Sequence, residues 1–458
     1  MFSRLTFFAA ILLSMSSPVL AQDFAGDALS PQQFYNLGQA LMRDGEPQGA
    51  ANVADALLQR KSDDPAALIL RAEAAIALGD FSGAARFART AYYTQTSGVQ
   101  KFAAARLVAL AQSQLAQDSR AQLWLRRARQ YAPNAQTAKS VADDYRFLRD
   151  RNPWSSSLRF GVTPSSNVNG GSSKDSGIML LGPFGLGLSV FSEDAKALSG
   201  LAVSAGGNTS YRLAASNTAA TFLTASADIR TYALSQSAKE QAPNVSGRDY
   251  SDATLAFGVR HRQILRAGAQ PTDFSLKTGR TWYGGDPYTH FAEGSVAQSF
   301  TIDSDNRLSA SLSARRSVSL TDDEPVSTVS LNTRWQRNLQ NNDRLSFGID
   351  FKRAKSDTPD SDYTAISYSA NYDFADSFAG MRFGFGLNAE TRDYGATRYH
   401  IIPREDQSIA LSMSVEFTNL EFYGFRPVMN ARIKRDQSNV DRFDRDYGSL
   451  GFDLRSSF

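Results

Sequence analysis

Between Ser155 and Phe458, apolar and polar residues alternate with a period of two, the signature of strands with one apolar face. In 345–352, Leu345, Phe347, Ile349 and Phe351 fall on one face and Ser346, Gly348, Asp350 and Lys352 on the other. Segment 308–315 sets Leu308, Ala310, Leu312 and Ala314 against Ser309, Ser311, Ser313 and Arg315. Segment 409–417 sets Ile409, Leu411, Met413, Val415 and Phe417 against Ala410, Ser412, Ser414 and Glu416. The pattern predicts fourteen strands centred near 160, 205, 225, 256, 276, 296, 312, 332, 348, 369, 385, 412, 430 and 452. Short turns (Ser216-Asn217, Ser304-Asp305-Asn306, Asn341-Asn342, Asp376-Ser377) alternate with longer polar connections at 165–196, 235–248, 355–362, 392–407 and 435–446. An even strand number with short turns on one side and long loops on the other is the pattern of an antiparallel transmembrane β-barrel of the bacterial outer membrane. It places both barrel ends on the periplasmic side.

Ahead of the strands the period changes. Residues 28 to about 150 are rich in the helix formers Ala, Leu, Gln and Arg, with apolar residues at three- and four-residue spacing (Leu68, Ala72, Ala75, Ile76). Breaks recur at Asp44-Gly45, Gly79-Asp80 and Ser97-Gly98. Gly38, Ala50 and Ala54 align with Ala72, Ala84 and Ala88 at an offset of 34, the tetratricopeptide period, with small residues where paired helices approach. A looser third unit spans about 101–133, with Ala121, Leu125, Ala128 and Pro133. The predicted architecture is therefore α plus membrane β: tetratricopeptide-like α-helical repeats over 22–150, then a 14-stranded antiparallel barrel over 151–458. Stacked repeats of this kind usually present a concave surface to an extended segment or partner; otherwise they are scaffold. Tyr92, Tyr93, Trp124 and Arg126 are groove candidates, though aromatics at helical spacing more often fill a core.

Residues 1–21 carry Arg4, an apolar run from Leu5 to Val19 and Val19-Leu20-Ala21, which predicts a removed secretory signal peptide. No later apolar run reaches the ~18 residues of a membrane helix. The mean hydropathy of −0.34 agrees with alternating strands, which average apolar with polar positions. There is no cysteine, so there is no disulfide framework, no thiolate metal site and no lipid-attachment site. A net charge of +3, from 49 basic and 46 acidic side chains, gives no support for nucleic acid as a partner.

Aromatics gather near strand ends (Trp282, Tyr283, Trp335, Tyr372, Phe374, Tyr423, Phe425), as interfacial girdles require. The last strand alternates Leu450, Phe452 and Leu454 with Gly451, Asp453 and Arg455 and ends at Phe458. Leu454 and Phe458 form the C-terminal signal that barrel-assembly machinery reads, and outer-membrane lipids are the other partner implied. A soluble β-sandwich would also alternate, but it does not explain the long strands, the almost purely apolar faces and the loop asymmetry. The polar faces carry both signs, among them Arg260, Lys277, Arg315, Arg334, Lys352, Arg382, Arg432, Lys434 and Arg455 with Asp350, Asp373, Glu390, Glu416 and Asp453. A mixed ladder of this kind does not by itself announce a selective pore.

Candidate chemistry is sparse. His261, His290 and His400 are not spaced as a metal motif, and no Gly-x-Ser-x-Gly elbow occurs. Gly182-Pro-Phe-Gly-Leu-Gly187 lacks the strand–turn–helix setting of a phosphate loop and is expected as an apolar loop or a segment in the barrel mouth. A Ser/His/Asp set across outer loops, as in barrel phospholipases, is the one enzymatic arrangement left open. No catalytic residue, metal or cofactor is assigned.

In arrangement and in local wording the chain resembles the surface lipoprotein assembly modulators, the Slam family. Asn152-Pro153-Trp154, the strand from Leu158 to Val162, and Pro164-Ser165-Ser166-Asn167-Val168-Asn169 look like that family's junction into the barrel, an Asn-Pro-Trp followed by Pro-x-Ser-Asn-Ile-Asn. Arg435-Asp-Gln-Ser438-Asn439-Val440, the aromatic-rich loop to Tyr447 and the final strand match its end. The motif positions are Asn152, Pro153, Trp154, Pro164, Ser166, Asn167 and Asn169. The resemblance implies a translocator that moves a client, a surface lipoprotein or secreted binding protein, across the outer membrane, with a periplasmic chaperone as a further partner. An exopolysaccharide exporter with a helical-repeat arm and a porin-like channel are the alternatives; exporters usually carry a longer helical part.

Overall fold

The computed structural model describes residues 30–456, so the expected signal peptide and Phe458 lie outside the described residues. Two compact units divide between Thr96 and Ser97.

The first unit holds α1 (Pro31–Arg43), α2 (Pro47–Arg60), α3 (Pro65–Ala77) and α4 (Phe81–Thr94). Proline opens α1, α2 and α3, where its missing N–H leaves no hydrogen bond unmade. Ser30 and Gln33 cap α1 reciprocally. The Asp64 carboxylate accepts from the amides of Ala66 (2.9 Å) and Ala67 (3.1 Å). The Gly83 amide donates to Asp80 at 2.8 Å, which, with Ser82, holds that carboxyl below the usual range. Small residues lie where the 34-residue offset put them. Ala50, Ala54, Ala72, Ala84 and Ala88 are fully buried. At Gly38 a Cβ would stand 2.4 Å from Leu70 Cδ2, so only glycine allows this approach. Leu70, itself fully buried, packs against Ala50, Ala51, Ala54 and Ala74. Of the groove candidates in this unit, Tyr92 is core and Tyr93 is exposed.

The second unit begins with α5 (Gly98–Gln114), α6 (Asp118–Gln130) and α7 (Ala135–Arg151). Ala121, Trp124, Leu125 and Ala128 form the buried face of α6. The chain then enters β1 (Trp154–Ser165). A small separate hairpin, β2 (Ser176–Leu180) and β3 (Leu186–Val190), lies within the first connection. There follow β4 (Gly200–Ala215), β5 (Ala219–Leu234), β6 (Asp252–Gln263), β7 (Thr272–Tyr283), β8 (Asp286–Thr301) and β9 (Asn306–Ser319). The rest are β10 (Pro325–Asn338), β11 (Arg344–Lys355), β12 (Tyr363–Asp373), β13 (Met381–Tyr394), β14 (Glu405–Phe417), β15 (Phe425–Ser438) and β16 (Arg445–Ser456). A short helix, α8 (Gln236–Gln241), sits between β5 and β6.

β1 and β4 to β16 close into one antiparallel barrel of fourteen strands, each paired with its sequence neighbours and β16 returning to β1. Every predicted strand centre falls within one of them. Their lengths, from 11 to 16 residues, suffice to cross a hydrocarbon layer when tilted. Register turns the alternation into continuous apolar rows on the outside. Leu312 faces Leu331, which faces Phe351; Leu387 faces Leu411, which faces Ile433. All six side chains are exposed. Rows of exposed aliphatic side chains on a closed barrel suit lipid and not water, and closure leaves no open sheet edge to the hydrocarbon. The chain is therefore an outer-membrane β-barrel.

Aromatics mark both rims. Trp154 packs on Tyr211 (4.8 Å between centroids) and Trp335 stacks on Phe347 (5.8 Å) at the rim next to α7. Tyr283 meets Tyr288 (6.1 Å) at the far rim. Loop asymmetry holds only in part. On the long-loop rim, 320–324 is a five-residue turn, and on the other rim the turn expected at Asp376-Ser377 is a seven-residue connection, 374–380, as is 418–424. Two further connections also depart from it. Gly284 and Gly285 (φ +61° and +96°) make a two-residue turn on the long-loop rim, where glycine alone adopts this backbone freely. Residues 264–271 make an eight-residue connection on the short-turn rim. Gly182–Phe184 is a single 3-10 turn at the tip of the β2–β3 hairpin, with Phe184 exposed.

Leu70→Ala should lower the stability of the first unit by about 3 kcal/mol, in the range for a buried leucine. Loss of helical ellipticity in urea measures it. A change below about 1 kcal/mol would show that Leu70 does not hold the helices together.

Candidate functional site: the β1–β16 seam

Thirteen of the fourteen strand interfaces carry long ladders, none with fewer than eleven register pairs. Between β1 and β16 there are three: Gly161 with Asp453, Val162 with Phe452 and Ser165 with Ser449. Sequence contributes to this. The Ser166 amide donates to the Gly448 carbonyl at 2.9 Å, so alternate residues of β1 turn their backbone toward β16. Pro164 is the next such residue, and it has no N–H to give. Glycines face the polar side chains across the gap. A Cβ on Gly161 would stand 2.6 Å from Asp453 Oδ1, and one on Gly451 would stand 2.5 Å from Thr163 Oγ1.

Lumenal ion pairs brace each side of the seam to its own block. Arg159 of β1 reaches Asp228 of β5 at 2.6 Å. On the other side Glu416 gathers Arg426 (3.3 Å), Arg455 (3.5 Å) and Arg382 (3.8 Å), tying β13 to β16 together. Asn430 donates to Asp453 at 2.7 Å. Among the described residues no ion pair joins β1 to β16.

At the rim next to α7 the seam is bridged by helices. Asn152 caps α7; its amide nitrogen reaches Ser119 Oγ (2.9 Å) and its oxygen accepts from the Trp154 amide (3.0 Å). Pro153 ends the helix and its carbonyl accepts from Arg212 N of β4 at 2.8 Å. The Arg212 guanidinium donates to the carbonyls of Asp150 (3.0 Å) and Arg151 (2.8 Å), a cation at a helix C-terminus where the last carbonyls lack partners. Arg151 pairs with Asp118 and donates to Ser113 O at 2.9 Å, which fixes α7 to α5 and α6. Its hydrogen bonds to Asp118 hold the guanidinium above the usual arginine range.

α6 grips the other side. Arg126 donates to Ser456 Oγ of β16 (3.0 Å) and to Gly424 O (3.3 Å), and lies over the Phe425 ring at 4.7 Å. Arg129 pairs with Glu421 at 2.8 Å, and Gln130 accepts from the Tyr423 amide at 2.7 Å. Tyr423 adopts φ +51°, a conformation that costs a non-glycine residue energy and is held here by those contacts.

At the far rim the connection 166–199 crosses the seam. Asn167, buried, exchanges hydrogen bonds with Gly171 (2.8 and 2.9 Å). Asn169 donates to Asp194 O and Lys196 O and accepts from the Leu198 amide, which joins the two ends of the loop. So folded, the loop sends Ser172 Oγ to Asp441 O (3.0 Å) and Ser173 N to Asp444 O (2.8 Å).

The seven motif positions thus fall on one strand and its two ends: Asn152, Pro153 and Trp154 at one rim, Pro164, Ser166, Asn167 and Asn169 at the other. Leu454 is exposed on the outside of β16. Arg129, Arg212 and Glu421 carry no signal in the sequence; Arg126, a groove candidate there, is a docking residue. The histidines lie apart: His261 meets Thr221 at 2.9 Å, His290 meets Arg280 at 3.0 Å, and the Ile402 amide donates to His400 at 3.1 Å.

No family model matches the chain, and no curated protein matches it. Solved barrels are similar in architecture. A loop L8 deletion mutant of OmpT, an outer membrane protein of Vibrio cholerae, aligns with 67% of this chain and 99% of its own at 7% identity and a TM-score of 0.31. Acinetobacter baumannii OccAB3 aligns with 65% and 98% at 9% identity and 0.35. A bacterial polysaccharide outer membrane secretin aligns with 66% and 98% at 12% identity and 0.33. At such scores the membrane assignment rests on this chain's own closure and apolar face.

Replacing both bridging arginines (Arg126→Ala with Arg212→Ala) should free the helices from the rim. Charge-assisted hydrogen bonds contribute about 2 kcal/mol each, so amide exchange over 154–157 should rise roughly thirtyfold per lost anchor. Exchange unchanged within about twofold would mean the helices are not held by these contacts.

Proposed function

We propose that this barrel is an outer-membrane translocator that helps move a client protein, a surface lipoprotein or a secreted binding protein, to the cell surface, as in the Slam family it resembles. The observation that carries the reading is the seam: three register pairs where the other interfaces have at least eleven. An open sheet edge in lipid is unfavourable by several kcal/mol per unpaired backbone group, so a short ladder is the cheapest place to part a barrel. A client strand entering there would satisfy the exposed backbone by pairing, the logic of β-strand addition.

In this reading the rim beside α7 faces the periplasm and the long connections face outward. The helical repeats of the first unit hold the client or its periplasmic chaperone. α6 and α7 report client binding to the seam, because they grip β16 through Arg126 and β4 through Arg212. Loop 166–199 guards the exit through Ser172 and Ser173. A porin has no need of a repeat unit.

Protease shaving of intact cells with and without this protein tests the proposal. At least one surface protein should fall about tenfold on its removal, and deletion of 28–150 should reproduce that loss while solute flux persists. An unchanged surface proteome with reduced solute uptake would establish the porin-like alternative instead.

A further inference from the structure

The lumen wall formed by β10 to β15 carries a second feature, independent of the seam. Register aligns Gln336, Ser346, Asn371, Gly386, Ser412 and Arg432 in one row across six strands. A Cβ on Gly386 would stand 2.6 Å from Ser412 Oγ and 2.8 Å from Asn371 Oδ1, so glycine keeps the middle of the row open. The row floors a polar cavity of about 520 Å³, into whose lining Arg334, Arg344 and Arg432 bring three guanidiniums and Asp373 a single carboxylate.

Several lumenal cations elsewhere are neutralised, although Lys352 stands without an ion pair among the described residues. Lys277 pairs with Glu293 (2.9 Å), Arg392 with Glu390 (2.7 Å) and Lys434 with Asp436 (2.7 Å). Arg334, Arg344 and Arg432 make no ion pair within 4.0 Å among the described residues. The Ser369 hydroxyl, in the same lining, is buried without a hydrogen-bond partner. Donors exceed acceptors, and positive charge exceeds negative, on one face of one cavity. Guanidinium forks match the oxygen spacing of carboxylate and phosphate, and rings of basic side chains select anions in pores.

We propose that this wall is an oxyanion site that makes the barrel an anion-preferring pathway. Its ligand is a small solute bearing a carboxylate, phosphate or sulfate group, held by Arg334, Arg344 and Arg432 with the row of hydroxyls and amides beneath them. The site concerns solutes in the lumen, whereas export concerns the seam, so each reading stands or falls alone.

The test uses the full chain in planar lipid bilayers under a potassium chloride gradient. The reversal potential should carry the anion sign, and added inorganic phosphate should block the chloride current in a saturable way. R334Q/R344Q/R432Q should move the reversal potential toward zero and weaken the phosphate block at least about tenfold, while K277Q, at a paired cation, should leave the block within about twofold. If the triple variant does not assemble, phenylglyoxal labelling of the unaltered chain replaces it. Phosphate should then slow modification of Arg334, Arg344 and Arg432 but not of exposed Arg435. A cation-sign potential, no channel current, absence of phosphate block or absence of protection would each overturn the proposal.

Discussion

A backbone amide in hydrocarbon has no water to bond, so every strand of a membrane barrel must find a neighbour on both sides. That constraint governs the second unit of this chain. It requires that the fourteen strands close on themselves, and the apolar solvent outside requires continuous apolar rows there, with polar residues confined to the lumen and rims. It also makes the one incompletely laddered interface the most informative place in the molecule. Where β1 meets β16, the sequence places Pro164 at a donor position and glycines opposite Asp453 and Thr163.

What the ladder lacks, the two rims supply by other means. α6 and α7 bridge the seam through charge-assisted bonds to backbone carbonyls and to Ser456. The loop 166–199 bridges it through hydrogen bonds to the Asp441 and Asp444 carbonyls, an amide bond from Ile178 to the Asp441 carboxylate and an ion pair between Lys174 and Asp444. Clasps of this type differ from a ladder in one respect that matters for function. They can be released by rearranging a helix or loop, without sliding a strand, and both kinds of element are the ones a binding partner moves most easily. The ion pairs within each block, around Glu416 on one side and between Arg159 and Asp228 on the other, keep the remaining wall intact while the clasps change.

Local chemistry was legible and distant chemistry was not. The strands could be read because alternation such as Leu345 to Lys352 is written in neighbouring residues, and the helix breaks because Asp44-Gly45 and Gly79-Asp80 stand just after the ends of α1 and α3. The strands centred near 276 and 296 were read, but the Gly284-Gly285 turn between them was not named, because two residues between Tyr283 and Asp286 interrupt the alternation only briefly. The β2–β3 hairpin was missed because its glycines read as loop. The motif residues around Asn152 and Asn167 were visible as words. Their job of folding the two ends of β1 became visible only from their hydrogen bonds. Arg126 meets Ser456 across 330 residues, a relation no local pattern encodes. The lumen charges were legible by sign but not by pairing, so the excess around Arg334, Arg344 and Arg432 emerged only from register.

The central claim is that the seam opens, and a cross-link addresses it directly. Ser165 and Ser449 face each other in register, and the chain contains no cysteine to compete. With both replaced (Ser165→Cys, Ser449→Cys), a disulfide should form under the oxidising conditions outside the cytoplasm. The account predicts that surface delivery of the client stops in the oxidised cells and returns on reduction, with barrel assembly unchanged throughout. Delivery at the normal rate through a fully cross-linked seam would contradict it.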